Sequence, residues 1–90
     1  MTIPKINTKS SFEIGIECHK AGDLFQAELQ YLQAISKKEN STKAKNYLGM
    51  IHFAKGNFSA AIDFWKESIQ EDAKYIEPLV NLASIHFQLQ

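Results

Sequence analysis

The stretch Thr42–Tyr75, TKAKNYLGMIHFAKGNFSAAIDFWKESIQEDAKY, decides the fold. It holds two helical patterns hinged at Gly56-Asn57. Shifting the sequence against itself by 34 residues recovers the same unit on either side: Ile14, Leu48 and Leu82 coincide, as do Gly15, Gly49 and Ala83. Gly22 falls on Gly56, Ala27 on Ala61, Tyr31 on Trp65, Ala34 on Ser68 and Ile35 on Ile69. A helix–turn–helix unit with this period marks an array in which each unit buries its apolar face against the next.

Working outward divides the chain into a lead-in (1–7), a first copy (8–41), a second copy (42–75) and the opening helix of a third (76–90). Pro4 and the absence of any period make the lead-in extended. Ser10-Ser11-Phe12-Glu13 is a capping-box pattern, in which a serine hydroxyl accepts from a free backbone N–H and the glutamate reaches back, so a helix begins there. Ile14, Cys18 and Ala21 form one stripe of it, and Phe12, Ile16 and His19 a second. Gly22 closes this helix and Asp23 caps the next, which spans about Leu24–Lys38 and puts Lys37 and Lys38 in its last turn, beside the free carbonyls.

The third helix covers about Thr42–Lys55, with Leu48 and His52 on one stripe and Asn46, Met50 and Phe53 on the other. The fourth covers Phe58–Glu71 and buries Phe58, Ala61, Ile62, Trp65 and Ile69. A fifth follows Glu77-Pro78 over Leu79–Leu89, proline being tolerated in a first turn. Connections as short as Glu39–Ser41 make neighbouring helices antiparallel. The fold class is therefore all-α: an α-solenoid of antiparallel helix pairs, about two and a half repeats in five helices. Gly15, Gly49 and Ala83 should lie where each first helix meets its neighbour, opposite Ala27 and Ala61, so that backbones approach closely.

Composition narrows the function classes. Ninety residues make at most one domain. Ten basic residues balance ten acidic ones, which disfavours nucleic acid and anionic membranes as partners. No apolar run approaches the length that spans a bilayer, and Met1–Thr8 lacks the apolar centre of a secretory signal. Cys18 is the single cysteine and cannot form an internal disulfide, which fits a cytoplasmic location.

With these residues in register, the chain resembles the tetratricopeptide repeat (TPR) family over Thr8–Gln90. The family pattern is a leucine and glycine in the first helix, a turn glycine, then an alanine, an aromatic and a small residue in the second. Leu48, Gly49, Gly56, Ala61, Trp65 and Ser68 match it, as do Ile14, Gly15, Gly22, Ala27, Tyr31 and Ala34. The third copy supplies Leu82 and Ala83. The chain departs from the pattern at Ser11 and Lys45, at Cys18, His52 and His86, where aromatics are common, and at Glu39 and Ala73, where proline is common.

The resemblance implies that first helices line a concave groove that receives a peptide or partner helix. Mapped onto this chain, the groove is Phe12, Ile16, His19, Lys20, Asn46, Met50, Phe53, Val80, Ser84 and Phe87. Some family members clamp a terminal carboxylate here, but Phe12, Ile16, Val80 and Ser84 supply no charge and only Asn46 fits such a clamp. The expected occupant is an apolar segment anchored on Phe12, Met50, Phe53 and Phe87.

Cys18, His52 and His86 recur at equivalent positions beside His19, but equivalent residues on stacked repeats sit a helix-pair apart and cannot converge on one ion. They read as substitutes for a packed aromatic, and no metal or other cofactor is expected. Glu67, Glu71 and Asp72 read as a solvated helix end, and no nucleophile elbow or phosphate loop is present, so no enzyme activity is expected. The leading expectation is a protein-binding scaffold or adaptor. The alternatives are a non-catalytic domain of a larger enzyme, such as a protein-modifying transferase, or a self-associating assembly module. Leu79, Leu82, Ile85, Phe87 and Leu89 leave the fifth helix apolar on more than one side, which points to a longer protein or to a homodimer that covers it.

Overall fold

A computed structural model describes residues 8–88 and contains five helices, with no strand among the described residues. They are α1 (Ser11–Lys20), α2 (Leu24–Ser36), α3 (Ser41–Ala54), α4 (Phe58–Glu71) and α5 (Glu77–Gln88). The lead-in, Leu89 and Gln90 lie outside the described residues.

Local chemistry sets the helix ends. Ser10 caps α1 in a full capping box: its hydroxyl accepts from Glu13 N–H at 3.1 Å, and its own N–H donates to the Glu13 carboxylate at 3.2 Å. Gly22 takes φ +84° and Gly56 φ +82°, closing α1 and α3. In each case the next N–H reaches back across the turn, Asp23 to Cys18 O at 2.9 Å and Asn57 to His52 O at 2.8 Å. Asp23 then caps α2 by accepting from Gln26 N–H at 3.1 Å.

The end of α2 corrects the expected boundary. The helix stops at Ser36, so Lys37 and Lys38 lie beyond its last turn. Lys38 adopts φ 59° and occupies the position that Gly22 and Gly56 hold elsewhere, with Glu39 N–H donating to Ala34 O at 2.8 Å. A left-handed lysine costs more than a glycine, and the chain accepts this to turn tightly into α3. α5 begins at Glu77, two residues before the expected start, and takes Pro78 into its first turn.

Packing follows chain order: α1 lies on α2, α2 on α3, α3 on α4 and α4 on α5, with a lighter contact between α3 and α5. One core cluster joins Ala27, Tyr31 and Ala34 of α2 to Ala44, Leu48 and Ile51 of α3. A second joins Ala61 and Trp65 of α4 to Ile85 of α5. A Cβ added at Gly15 would stand 2.7 Å from the Tyr31 ring, and one at Gly49 would collide with the Trp65 indole, so each aromatic lies directly on a glycine backbone. Ala83 is exposed instead, because no described helix covers that side of α5. Phe58, expected in the core, is 37% exposed and tilts against Phe53 with ring centroids 5.4 Å apart.

Ion pairs and hydrogen bonds fasten the helix ends across the repeat. Glu71, at the end of α4, accepts from Ser41 Oγ at 3.1 Å, Thr42 Oγ1 at 2.8 Å and Lys45 Nζ at 2.6 Å. Burial alone would raise its carboxyl pKa, but the hydrogen bonds from Lys45, Thr42 and Ser41 outweigh burial and hold it below its ordinary value. The expected solvated helix end is thus, at Glu71, the tie between α4 and the first turn of α3.

Candidate binding trough

Three adjoining concavities run across α1, α3 and α5. The first, of about 380 Å³, is walled by Ile16, His19 and Lys20 of α1, Tyr31 of α2, and Tyr47 and Met50 of α3. Met50 also borders the second, of about 220 Å³, with Phe53, Trp65, Asn81, Ser84, Ile85 and Gln88. Ser84 and Gln88 lead into a third along α5, with Val80, Ala83 and Phe87. Helical spacing aligns these residues: Ile16, His19 and Lys20 on α1, and Val80, Ser84 and Phe87 on α5, are three or four apart and share a face.

Eight of the ten residues expected to line a groove border this trough, all but Phe12 and Asn46. Phe12 is half-buried beneath it and stacks on Tyr47 with centroids 5.9 Å apart. Asn46 is fully buried. Its side chain accepts from Asn81 Nδ2 at 2.9 Å and donates towards Tyr75 Oη at 3.3 Å and Glu77 Oε2 at 3.4 Å, while its carbonyl accepts from Trp65 Nε1 at 3.0 Å. These bonds occupy both ends of its amide, so Asn46 anchors α5 and the α4 indole to α3 and presents nothing to the trough.

The first concavity has aromatic walls of set orientation. Tyr31 and Tyr47 lie with centroids 5.6 Å apart, and His19 meets both edge-on, at 5.9 and 6.1 Å. His19 Nδ1 is 3.0 Å from the Tyr31 hydroxyl. Burial disfavours the imidazolium and lowers the His19 pKa, and burial pushes the Tyr31 and Tyr47 hydroxyls up. At neutral pH this wall is uncharged. Lys20, exposed at the edge, is the single formal charge among residues lining the three concavities, and no carboxylate lines them. The surface is suited to apolar and aromatic side chains.

Tyr47 is one of the lining residues absent from the expected groove. Its counterparts are Glu13 and Asn81, so only its own α3 stripe carries the signal. Among the described residues no three His, Cys, Asp or Glu side chains cluster to hold a metal. His52 instead stacks on Phe64 with centroids 5.4 Å apart and lies 3.4 Å from Glu28 Oε2, while Cys18 is half-buried and His86 exposed. No helix among the described residues is long and apolar enough to cross a membrane.

Another concavity, about 450 Å³, lies off the trough, between α4 and the outer side of α5, and is walled by Ile62, Lys66, Leu79, Leu82, Ala83, Ile85 and His86. Ala83 and His86 hold the places that Gly49 and His52 hold on α3, where Trp65 and Phe64 cover them.

No protein-family model matches the sequence, and comparison with curated proteins and with solved structures found no significant match.

Proposed function

We propose that this chain is a protein-interaction module of the TPR kind, an α-solenoid of antiparallel helix pairs that holds an apolar peptide or partner helix in the trough. The observation that carries the reading is the continuity of the three concavities: Met50 is shared by the first and second, Ser84 by the second and third, and no carboxylate interrupts them. An extended or helical segment gains by burying side chains along such a run at roughly 25 cal/mol per Å² of apolar surface. Met50, 40% exposed at the junction, and Phe53 beside it are the central anchors.

The test is selection of peptides from a random display library on the immobilised protein, followed by titration of the enriched peptides. Apolar sequences are expected to be enriched, and Met50→Ser with Phe53→Ser should weaken them by about tenfold or more while the helical circular dichroism is kept. Unchanged binding by that variant, or no enrichment, would refute the trough as the binding surface.

A second reading, self-association through α5, is favoured by the uncovered concavity on its outer side and by the exposure of Leu79 (58%) and Phe87 (78%).

A further inference from the structure

Charge is distributed unevenly over the helices that form the trough. Their carboxylates are Glu13 and Glu17 on α1 and Glu77 on α5, while α3 has none. Each is engaged within the chain: Glu13 closes the capping box, Glu17 pairs with Lys9, and Glu77 accepts from the Tyr75 hydroxyl at 2.7 Å. Lys20 differs. It stands exposed at the end of α1 and lines the first concavity, and no residue among those described holds its ammonium in an ion pair or hydrogen bond. The polar groups at the far end of the trough, Asn81, Ser84 and Gln88, are neutral. One end of an otherwise uncharged apolar run therefore carries a single unanswered positive charge.

We infer that the partner is an apolar peptide segment bearing an aspartate or glutamate side chain at the end that lies over α1, and no lysine or arginine within its apolar run; this rests on the trough being the binding surface proposed above. A bound segment takes water from one side of the Lys20 ammonium, and a carboxylate placed there answers the charge. A basic side chain at that end would meet like charge, and further along it would lose hydration with no carboxylate to receive it, so the trough also selects against basic segments. The chain as a whole has ten basic and ten acidic residues, so no overall field draws in acidic partners and the preference is local to Lys20. Charge at one end alone gives the segment a single direction in the trough. A side-chain carboxylate suits the site better than a chain terminus, because Asn46, the residue expected to help clamp a terminus, is buried and bonded to Asn81.

The experiment uses peptides enriched from a random display library on the immobilised protein, remade with amidated C-termini so that they carry no terminal carboxylate, and titrated by fluorescence anisotropy. The enriched sequences are expected to carry aspartate or glutamate on one constant side of the apolar run and to be depleted of lysine and arginine within it. Replacing that acid by its amide should weaken binding to the parent about threefold and leave binding to Lys20→Gln unchanged, the difference shrinking as salt is added. Lys20→Glu should bind the acidic peptide about fivefold or more weakly than the parent does, and should prefer a copy with lysine in place of the acid. Lys66→Glu changes an exposed lysine that lines the concavity off the trough, and should bind as the parent does. Helical circular dichroism should be the same for all of these variants. Peptides that bind the parent and Lys20→Glu alike, that carry basic residues within the apolar run, or that respond equally to Lys66→Glu would overturn the inference and leave the trough standing. Binding indifferent to Met50→Ser with Phe53→Ser would remove the trough, and this inference with it.

Discussion

α3 and α5 hold the same place in the repeat and end in different surroundings. α3 has α2 on one side and α4 on the other, and buries Ala44, Asn46, Leu48, Gly49 and Ile51. α5 rests mainly on α4, and buries only Pro78 and Ile85. Leu82, the counterpart of Leu48, is half-buried, and Ala83, the counterpart of Gly49, is exposed. A repeat position thus fixes what a side chain is able to pack against; the neighbours present decide whether it does. A helix draws most of its stability from the helices packed beside it, so α5, resting mainly on one, is less stable than α3, which is held on both sides.

The largest predicted contrast is at the paired leucines. Leu48→Ala should lower unfolding stability by roughly 3 kcal/mol, since the side chain is fully buried and leaves a cavity, whereas Leu82→Ala should cost roughly 1 kcal/mol. Chemical denaturation of the two variants measures both, and equal losses would break the distinction between α3 and α5.

A smaller contrast lies at the small residues. A Cβ at Gly49 would press on a Trp65 indole that cannot retreat without losing its 3.0 Å bond to Asn46 O. Gly49→Ala should therefore cost about 1–2 kcal/mol despite the better helix propensity of alanine. Ala83→Leu, on the open side of α5, should change stability by less than about 0.5 kcal/mol. Thermal melts of the two sharpen the comparison, and a destabilised Ala83→Leu would mean that something covers this side of α5 in solution.

The smallest effect comes from His19, in the first copy. Burial lowers its folded pKa below the ordinary 6.5, so the unfolded chain takes up a proton first as the pH falls. Its contribution to stability is complete above about pH 6.5 and is lost as the pH drops through the folded value. Melting temperature measured between neutral and mildly acidic pH should show this decline in the parent and less of it in His19→Gln; identical profiles would count against a buried, neutral imidazole at the Tyr31 wall.

Most of the helix boundaries were legible because their causes are local. Ser10 and Glu13, Gly22 and Asp23, and Gly56 act within one turn of their own position, and the 34-residue period aligned Gly15 with Gly49 and Tyr31 with Trp65. The expected partners of the two glycines were Ala27 and Ala61; the structure instead lays the Tyr31 and Trp65 rings on them. Lys38 escaped this reading because nothing in a lysine announces φ 59°; the turn into α3 imposes it. Ile51 escaped because the two full copies disagree there, its counterpart in the first being Glu17, and only Ile85 in the third shares its apolar, buried character. Eight residues of the expected groove do border the trough, since helical periodicity puts them on one face. Asn46 shares that periodicity yet is buried, because Tyr75, Glu77 and Asn81 close over it from about thirty residues further along the chain.

The sequence by itself determined five helices and the glycine turns after α1 and α3, because spacing and capping are read within a few residues. Only the tertiary structure decided which polar groups are consumed internally, as Asn46 and Glu71 are, and which apolar faces stay open, as on α5 and on the outer side of α2. Burial and hydrogen bonding depend on what arrives from elsewhere in the chain, and no local pattern of residues states that.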